Sequence, residues 1–140
     1  MPVKTFVDSN ILIYAHDVDQ AEKYKIAKEL LIELLRTRSG VLSPQVLQEF
    51  YVNATRKIAA PISKRAARVI VEDFSVLSID TTADDIAAAF RIEDESKISF
   101  WDALICASAL KANAKVIVSE DLNAGQKIVG IRVENPFKTS

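Results

Sequence analysis

Phe6-Val7-Asp8-Ser9-Asn10 sets one carboxylate between two apolar runs, Val3 to Val7 before it and Ile11 to Ala15 after it. The first run reads as a buried strand, so Asp8 stands at a strand's carboxyl end. In open α/β sheets ligands bind there. An aspartate wedged between core segments, with no basic neighbour, loses solvation. It needs hydrogen bonds, a cation or a metal to compensate. The arrangement recurs at Asp102 and Asp121, and that recurrence is the main pointer to function.

Outward from this stretch, short β-rich runs alternate with longer helical ones. Ser9 or Asn10 is expected to cap a short helix. Ala21 to Arg38 has apolar residues at helical spacing, and Gly40 would permit the turn that follows. Val41-Leu42-Ser43 reads as a strand. Ser43-Pro44 opens a helix to about Ile58, with Pro at the first helical position. Ser63 opens another helix. Val76 to Ile79 reads as a third strand. Thr82 with Asp85 resembles a capping box. Ser99 caps a helix over Phe100 to Lys111, ended by Asn113 in a left-handed turn. Lys115 to Val118 and Ile131 to Val133 are the last strands, and the residues after Phe137 are expected to fray. Strands separated by helices imply crossovers and parallel pairing. The expectation is a single α/β domain over residues 1–140. It would be a three-layer α/β/α sandwich with a mainly parallel central sheet of four to five strands.

Composition narrows the function classes. At 140 residues the chain can build a core without staples, and 49% apolar with 26% charged residues is ordinary for a globular protein. The lone cysteine excludes an intrachain disulfide. No apolar run approaches the ~18–20 residues of a membrane span, and Asp8 interrupts any signal-like segment, so a cytoplasmic location is expected. Net charge is −1, yet residues 1–70 carry eleven Lys/Arg against seven Asp/Glu. Five cations (Arg56, Lys57, Lys64, Arg65, Arg68) fall between Asn53 and Val71 with no acid. They suit either a solvated helix face or a nucleic-acid backbone, with Arg56 and Lys57 the candidate contacts.

The acids carry the chemistry. Asp102 is the only ionisable group besides Cys106 in Ile98 to Leu110. Helix-dipole stabilisation is its bland reading, but Ser99 already supplies the cap. Asp121 follows a strand, as Asp8 does. Glu49, near the start of a helix that itself follows a strand, can join them at one sheet edge. Carboxylates gathered in one pocket repel and raise one another's pKa values. A hard divalent cation such as Mg²⁺ or Mn²⁺ resolves this and accepts phosphate oxygens. No competing machinery is present: there is no phosphate-binding glycine loop, no Gly-x-Ser-x-Gly elbow, and only one histidine, His16.

With these residues placed, the chain resembles PIN-domain ribonucleases, specifically the VapC-like toxins of toxin–antitoxin pairs. Phe6-Val7-Asp8-Ser9-Asn10-Ile11-Leu12 is similar to the opening motif and Gln48-Glu49-Phe50 to the second. Ser99-Phe100-Trp101-Asp102-Ala103 is similar to the third, Val118-Ser119-Glu120-Asp121-Leu122 to the fourth, and Gly130 to Phe137 to the family's ending. The resemblance implies metal-dependent endonucleolytic cleavage of RNA. Asp8, Asp102 and Asp121 would hold Mg²⁺ or Mn²⁺, and Glu49 would orient water or bind a second ion. Asn10 and Ser119 would support these ligands or contact substrate phosphate. It also implies a homodimer and a cognate antitoxin. Glu120 competes with Asp121 as the fourth acid, since adjacent residues of an extended segment point to opposite sides.

Three other readings compete. Asn10, where an aspartyl phosphotransferase wants a second Asp, disfavours that chemistry. A catalytically inactive PIN-like module that binds RNA or protein has no physical reason to keep mutually repelling acids. A PIN nuclease of RNA processing, outside toxin–antitoxin systems, is barely separable from the toxin by sequence.

Overall fold

Strand β1 (Thr5–Val7) is buried at all three positions and pairs on both sides, with β2 (Gly40–Val41) and with β3 (Val116–Val118). These β-branched and aromatic residues suit a doubly covered strand. The computed structural model describes residues 3–138. The sheet order is β2-β1-β3-β5-β4, with β5 (Ile131–Glu134) parallel to β3. Only β4 (Lys127–Ile128) runs antiparallel, against β5. Chain order reverses between β1 and β3: β1 leads outward to β2, and β3 outward toward β5. The crevice at the carboxyl ends of β1 and β3 is thus the switch point of the sheet.

Six α-helices flank the sheet among the described residues: α1 (Ser9–Tyr14), α2 (Glu22–Arg36), α3 (Pro44–Arg56), α4 (Lys64–Phe74), α5 (Ala83–Ser96) and α6 (Phe100–Lys111). The expected α/β/α arrangement, with a mainly parallel sheet of five strands, is the one that forms. Phe6, Ile11, Leu12, Phe50 and Ile117 are fully buried in its core, each contributing about 1.5–3 kcal/mol of apolar burial. Helix α6 is buried from Ala103 to Ala109, as its all-round apolar character requires. The Thr82–Asp85 capping box forms in both directions, and Asn113 adopts the left-handed turn after α6. No described helix is long and apolar enough to cross a membrane.

Four local expectations change. Asp8, not Ser9 or Asn10, is the N-cap of α1, its side chain accepting from Ser9 N–H. Arg38, not Gly40, takes the left-handed conformation after α2, at φ 56°. Gly40 opens β2, where the Leu34 Cβ lies 3.2 Å from any added Cβ, so close packing asks for glycine here. Val76 to Ile79 is not a strand. Ser75–Leu77 forms a 3₁₀ turn, and one parallel bridge links Ser78 to Leu42. Leu77 and Ile79 pack against the core while Val76 is 80% exposed, and pairing stops at that single bridge because the 3₁₀ turn takes up the residues before it. Lys127–Ile128 pairs through a two-residue turn, Val129-Gly130, with both φ values positive. Such turns normally announce themselves as Asn-Gly, and Val129 hides the signal. Cys106 is fully buried, and His16 Nδ1 donates to the Leu12 carbonyl at 2.8 Å while the ring packs edge-on against Phe50. The expected fraying concerns Thr139 and Ser140, which lie outside the described residues.

Candidate active site

Asp8 is set by β1 and α1 together. Its N–H donates to the Val118 carbonyl at 3.1 Å, extending the β1–β3 ladder by one bond. Its side chain then turns back to cap α1, with Oδ1 accepting from Ser9 N–H at 2.8 Å. Oδ2 accepts from the Ser119 hydroxyl at 2.7 Å and from Asn10 Nδ2 at 3.4 Å. Asp8 is only 7% exposed. Burial pushes its carboxyl above the ordinary value, the Ser119 and Ser9 hydrogen bonds oppose this, and the charges of Asp121 and Asp102 add to the rise.

Ser119 and Asn10 join the ends of β1 and β3. Ser119 Oγ accepts from the backbone N–H groups of Asp121, at 3.1 Å, and Leu122, at 3.4 Å, which shapes the turn after β3. Asn10 Oδ1 accepts from Glu120 N–H at 3.0 Å, while Nδ2 reaches both Ser119 Oγ and Asp121 Oδ2 at 3.2 Å. Neither residue pairs a charge. Both orient carboxylates.

Asp102 lies in the first turn of α6, whose N-cap Ser99 accepts from Asp102 N–H at 3.1 Å. Its carboxyl is raised by burial, eased by Ser99 and raised again by the Asp121 charge. Glu49, on α3, is half-buried. Its carboxyl is raised by burial first, then by the charge of Asp8, with a Gln45 amide easing it and Asp102 and Asp121 adding to the rise. All four expected acids therefore meet in one field. Asp121 is exposed at the mouth.

Glu120 belongs elsewhere. It accepts from Tyr14 Oη at 2.7 Å and forms an ion pair with Lys23. Burial alone would raise its carboxyl, but Lys23 and Tyr14 outweigh it and the net direction is down. Alternation along the segment turns Glu120 to a cation and Asp121 to the acids.

Asp17 and Tyr14, which the sequence did not single out, also border the site. A cavity of about 350 Å³ beside Asn10 and Asp121 is lined by Asp17 and Lys57 among others. Asp17 Oδ1 is buried without a hydrogen-bond partner. Of the two candidate backbone contacts, Lys57 borders this cavity and Arg56 does not. Tyr14, in the same wall, carries Glu120. Only the approach of α1 to the turn after β3 places it there, and periodicity gave no signal of that.

The donor set suits a hard divalent cation: carboxylate oxygens, buried at Asp8, half-buried at Glu49 and Asp102 and exposed at Asp121, that no cation among the described residues neutralises. The ion pairs among the described residues occupy Glu33, Asp85, Glu120 and Glu134, and none of the four acids. As the side chains stand, no three His, Cys, Asp or Glu among the described residues close into a ligand group. Mg²⁺ commonly needs only one or two carboxylates besides water and phosphate.

The PIN domain family model matches residues 5–127. The chain belongs to the PIN domain family. No curated protein matches it. Among solved structures, a toxin–antitoxin complex from Klebsiella pneumoniae is similar at TM-score 0.69 and 20% identity, over 96% of this chain and 99% of that one. DNA-bound VapBC from Salmonella typhimurium is similar at TM-score 0.67 and 22% identity, over 96% and 99%. VapC20 from Mycobacterium tuberculosis, a toxin that cleaves the sarcin–ricin loop, is similar at TM-score 0.59 and 20% identity, over 81% and 86%. At these identities the likeness is one of fold.

Proposed function

We propose that this single PIN domain is an Mg²⁺- or Mn²⁺-dependent endoribonuclease and the toxin of a toxin–antitoxin pair. One observation carries the reading: Asp8, Glu49, Asp102 and Asp121 share a field at the switch point of the sheet, with no cation among the described residues paired to them. Asp8 and Asp102 would hold the ion, with Asp121 closing the acidic pocket. When bound, the ion would supply Lewis-acid activation of water and neutralise charge on the scissile phosphate. Glu49, whose carboxyl burial and Asp8 push upward, is suited to orient the attacking water and take its proton. Ser119 and Asn10 hold Asp8 and Asp121 in place. Lys57, at the cavity beside Asp121, is suited to the RNA backbone. The toxin reading, a cognate antitoxin and a second copy as partners draw support from the toxin–antitoxin complexes that share the fold.

The deciding experiment is cleavage of total cellular RNA by wild type and Asp8→Asn, with Mg²⁺, with Mn²⁺ and with EDTA. Cleavage by wild type alone, lost in EDTA, is the expected result. Absence of both cleavage and metal binding would give way to a non-enzymatic RNA- or protein-binding module.

A further inference from the structure

Glu49, alone of the four acids, lines a cavity of about 320 Å³ together with Gln45, Gln48 and Trp101. Glu49 belongs to both the acidic pocket and this cavity. Trp101 immediately precedes Asp102 in the first turn of α6. Its side chain is left 63% exposed, a large apolar surface that folding normally covers. Phe100 meets the indole edge-on at 5.1 Å between ring centroids, and Phe90 packs against Phe100 at 5.7 Å. The indole thus rests on a packed aromatic support with much of its surface open. Gln45 Nε2 donates to the Trp101 carbonyl at 3.3 Å, and Gln45 Oε1 is buried without a donor. A buried acceptor left unpaired is costly, and the Gln45 amide meets an incoming N–H by turning Oε1 toward the cavity. An open aromatic surface, an unmet amide acceptor and adjoining acids suit one chemistry: a planar heterocycle that carries N–H groups, attached to a phosphate.

We propose that Trp101 is the stacking platform for a nucleobase of the RNA strand beside the scissile phosphate, with Gln45 and Gln48 contacting the base edge. The inference deepens the nuclease reading and rests on it for the identity of the strand. The basic run Arg56 to Arg68 has no interleaved aromatics. Base contact falls instead to the first turn of α6, next to Asp102. Stacking tolerates every base because each has a π-face, whereas the glutamine amides would discriminate among edges.

Trp101 is the only tryptophan, so intrinsic fluorescence reports on it alone. The probes are single-stranded oligoribonucleotides of U, C, A or G and an abasic strand of equal length, added to Asp8→Asn protein with Mg²⁺. Quenching by the base-bearing strands and none by the abasic strand is expected. In this background, with binding read from the anisotropy of dye-labelled strands, Trp101→Ala weakens binding of the base-bearing strands on the order of tenfold or more, and Trp101→Phe restores most of it. In cleavage assays with Asp8 intact, Trp101→Ala raises KM more than it lowers kcat. No quenching, or equal quenching by the abasic strand, overturns the inference even while wild type cleaves RNA. Base-dependent quenching without cleavage under any metal condition supports stacking and removes the nuclease reading. Emission that shifts with protein concentration, with Trp101→Ala halving the solution mass, would assign the indole to a contact between copies and overturn the inference.

Discussion

The Ser119 hydroxyl donates a 2.7 Å hydrogen bond to Oδ2 of Asp8 across 111 residues of sequence. The bond ties the end of β3 to the end of β1 and leaves Asp8 fixed in rotation. A fully buried hydroxyl with this role is costly to remove. Ser119→Ala leaves Asp8 without one of its partners and frees the N–H groups of Asp121 and Leu122. A loss of about 1–3 kcal/mol of stability is expected, with a larger proportional fall in cleavage than Ser119→Thr, checked by thermal melts and rates on one RNA.

Asp8→Asn is expected to abolish cleavage and keep the fold. Burial and the charges of Asp121 and Asp102 raise the Asp8 carboxyl in the folded chain, so the ionised form opposes folding at neutral pH. In metal-free buffer the variant should melt no lower than wild type at pH 7. As pH falls toward the ordinary carboxylate range, wild-type Asp8 takes up its proton and the difference should shrink. A variant that unfolds would make Asp8 a structural cap and nothing more.

Asp102→Asn is expected to weaken Mn²⁺ binding far more than it changes stability. Its backbone N–H still donates to Ser99, which keeps the start of α6 capped. Titration calorimetry with Mn²⁺ beside a melt separates the two; unchanged binding would return Asp102 to a helix-dipole role.

Glu120 and Asp121 should part company. Glu120→Gln keeps a hydrogen-bond acceptor for Tyr14 and Lys23 and is expected to stay within about threefold of wild-type cleavage. Asp121→Asn is expected to lose on the order of 10- to 100-fold, the size typical of groups that support metal ligands. The reverse order would move the fourth acid to Glu120.

Acid should loosen α5. Burial raises the Asp85 carboxyl, but Lys111 and the Thr82 hydrogen bonds outweigh it and hold it below its ordinary value. With the folded pKa depressed, the stabilisation is complete above the ordinary value, near 3.8, and is lost as pH falls below that through the folded value. Asp85→Ala should cost about 1 kcal/mol at pH 7 through the lost capping box, and should flatten the acid limb of a stability-against-pH curve.

Local chemistry was legible in the chain itself. The apolar run before Asp8, the all-round apolar α6, Ser-Pro ahead of α3 and Thr82 with Asp85 are each specified by residues within a few positions of one another. Their periodicity sufficed for the α/β/α class and for the order of its helices. The candidate acids were visible because an isolated carboxylate among core residues is expensive wherever it falls.

Tertiary structure decided what depends on partners distant in sequence. Val76 to Ile79 has strand-like residues but pairs only through the Ser78–Leu42 bridge, and Lys127–Ile128 becomes a strand only because β5 lies beside it. The assignment of Glu120 to Lys23 and Tyr14, and of Asp121 to Asn10 and the acids, needs α1 and α2 packed against the turn after β3. Exposure of Trp101 beside Glu49 likewise needs α3 and α6 in place. A chain's local pattern sets which faces want burial. Only packing settles which charges then meet, because Coulombic and hydrogen-bond energies depend on separations that span the whole fold.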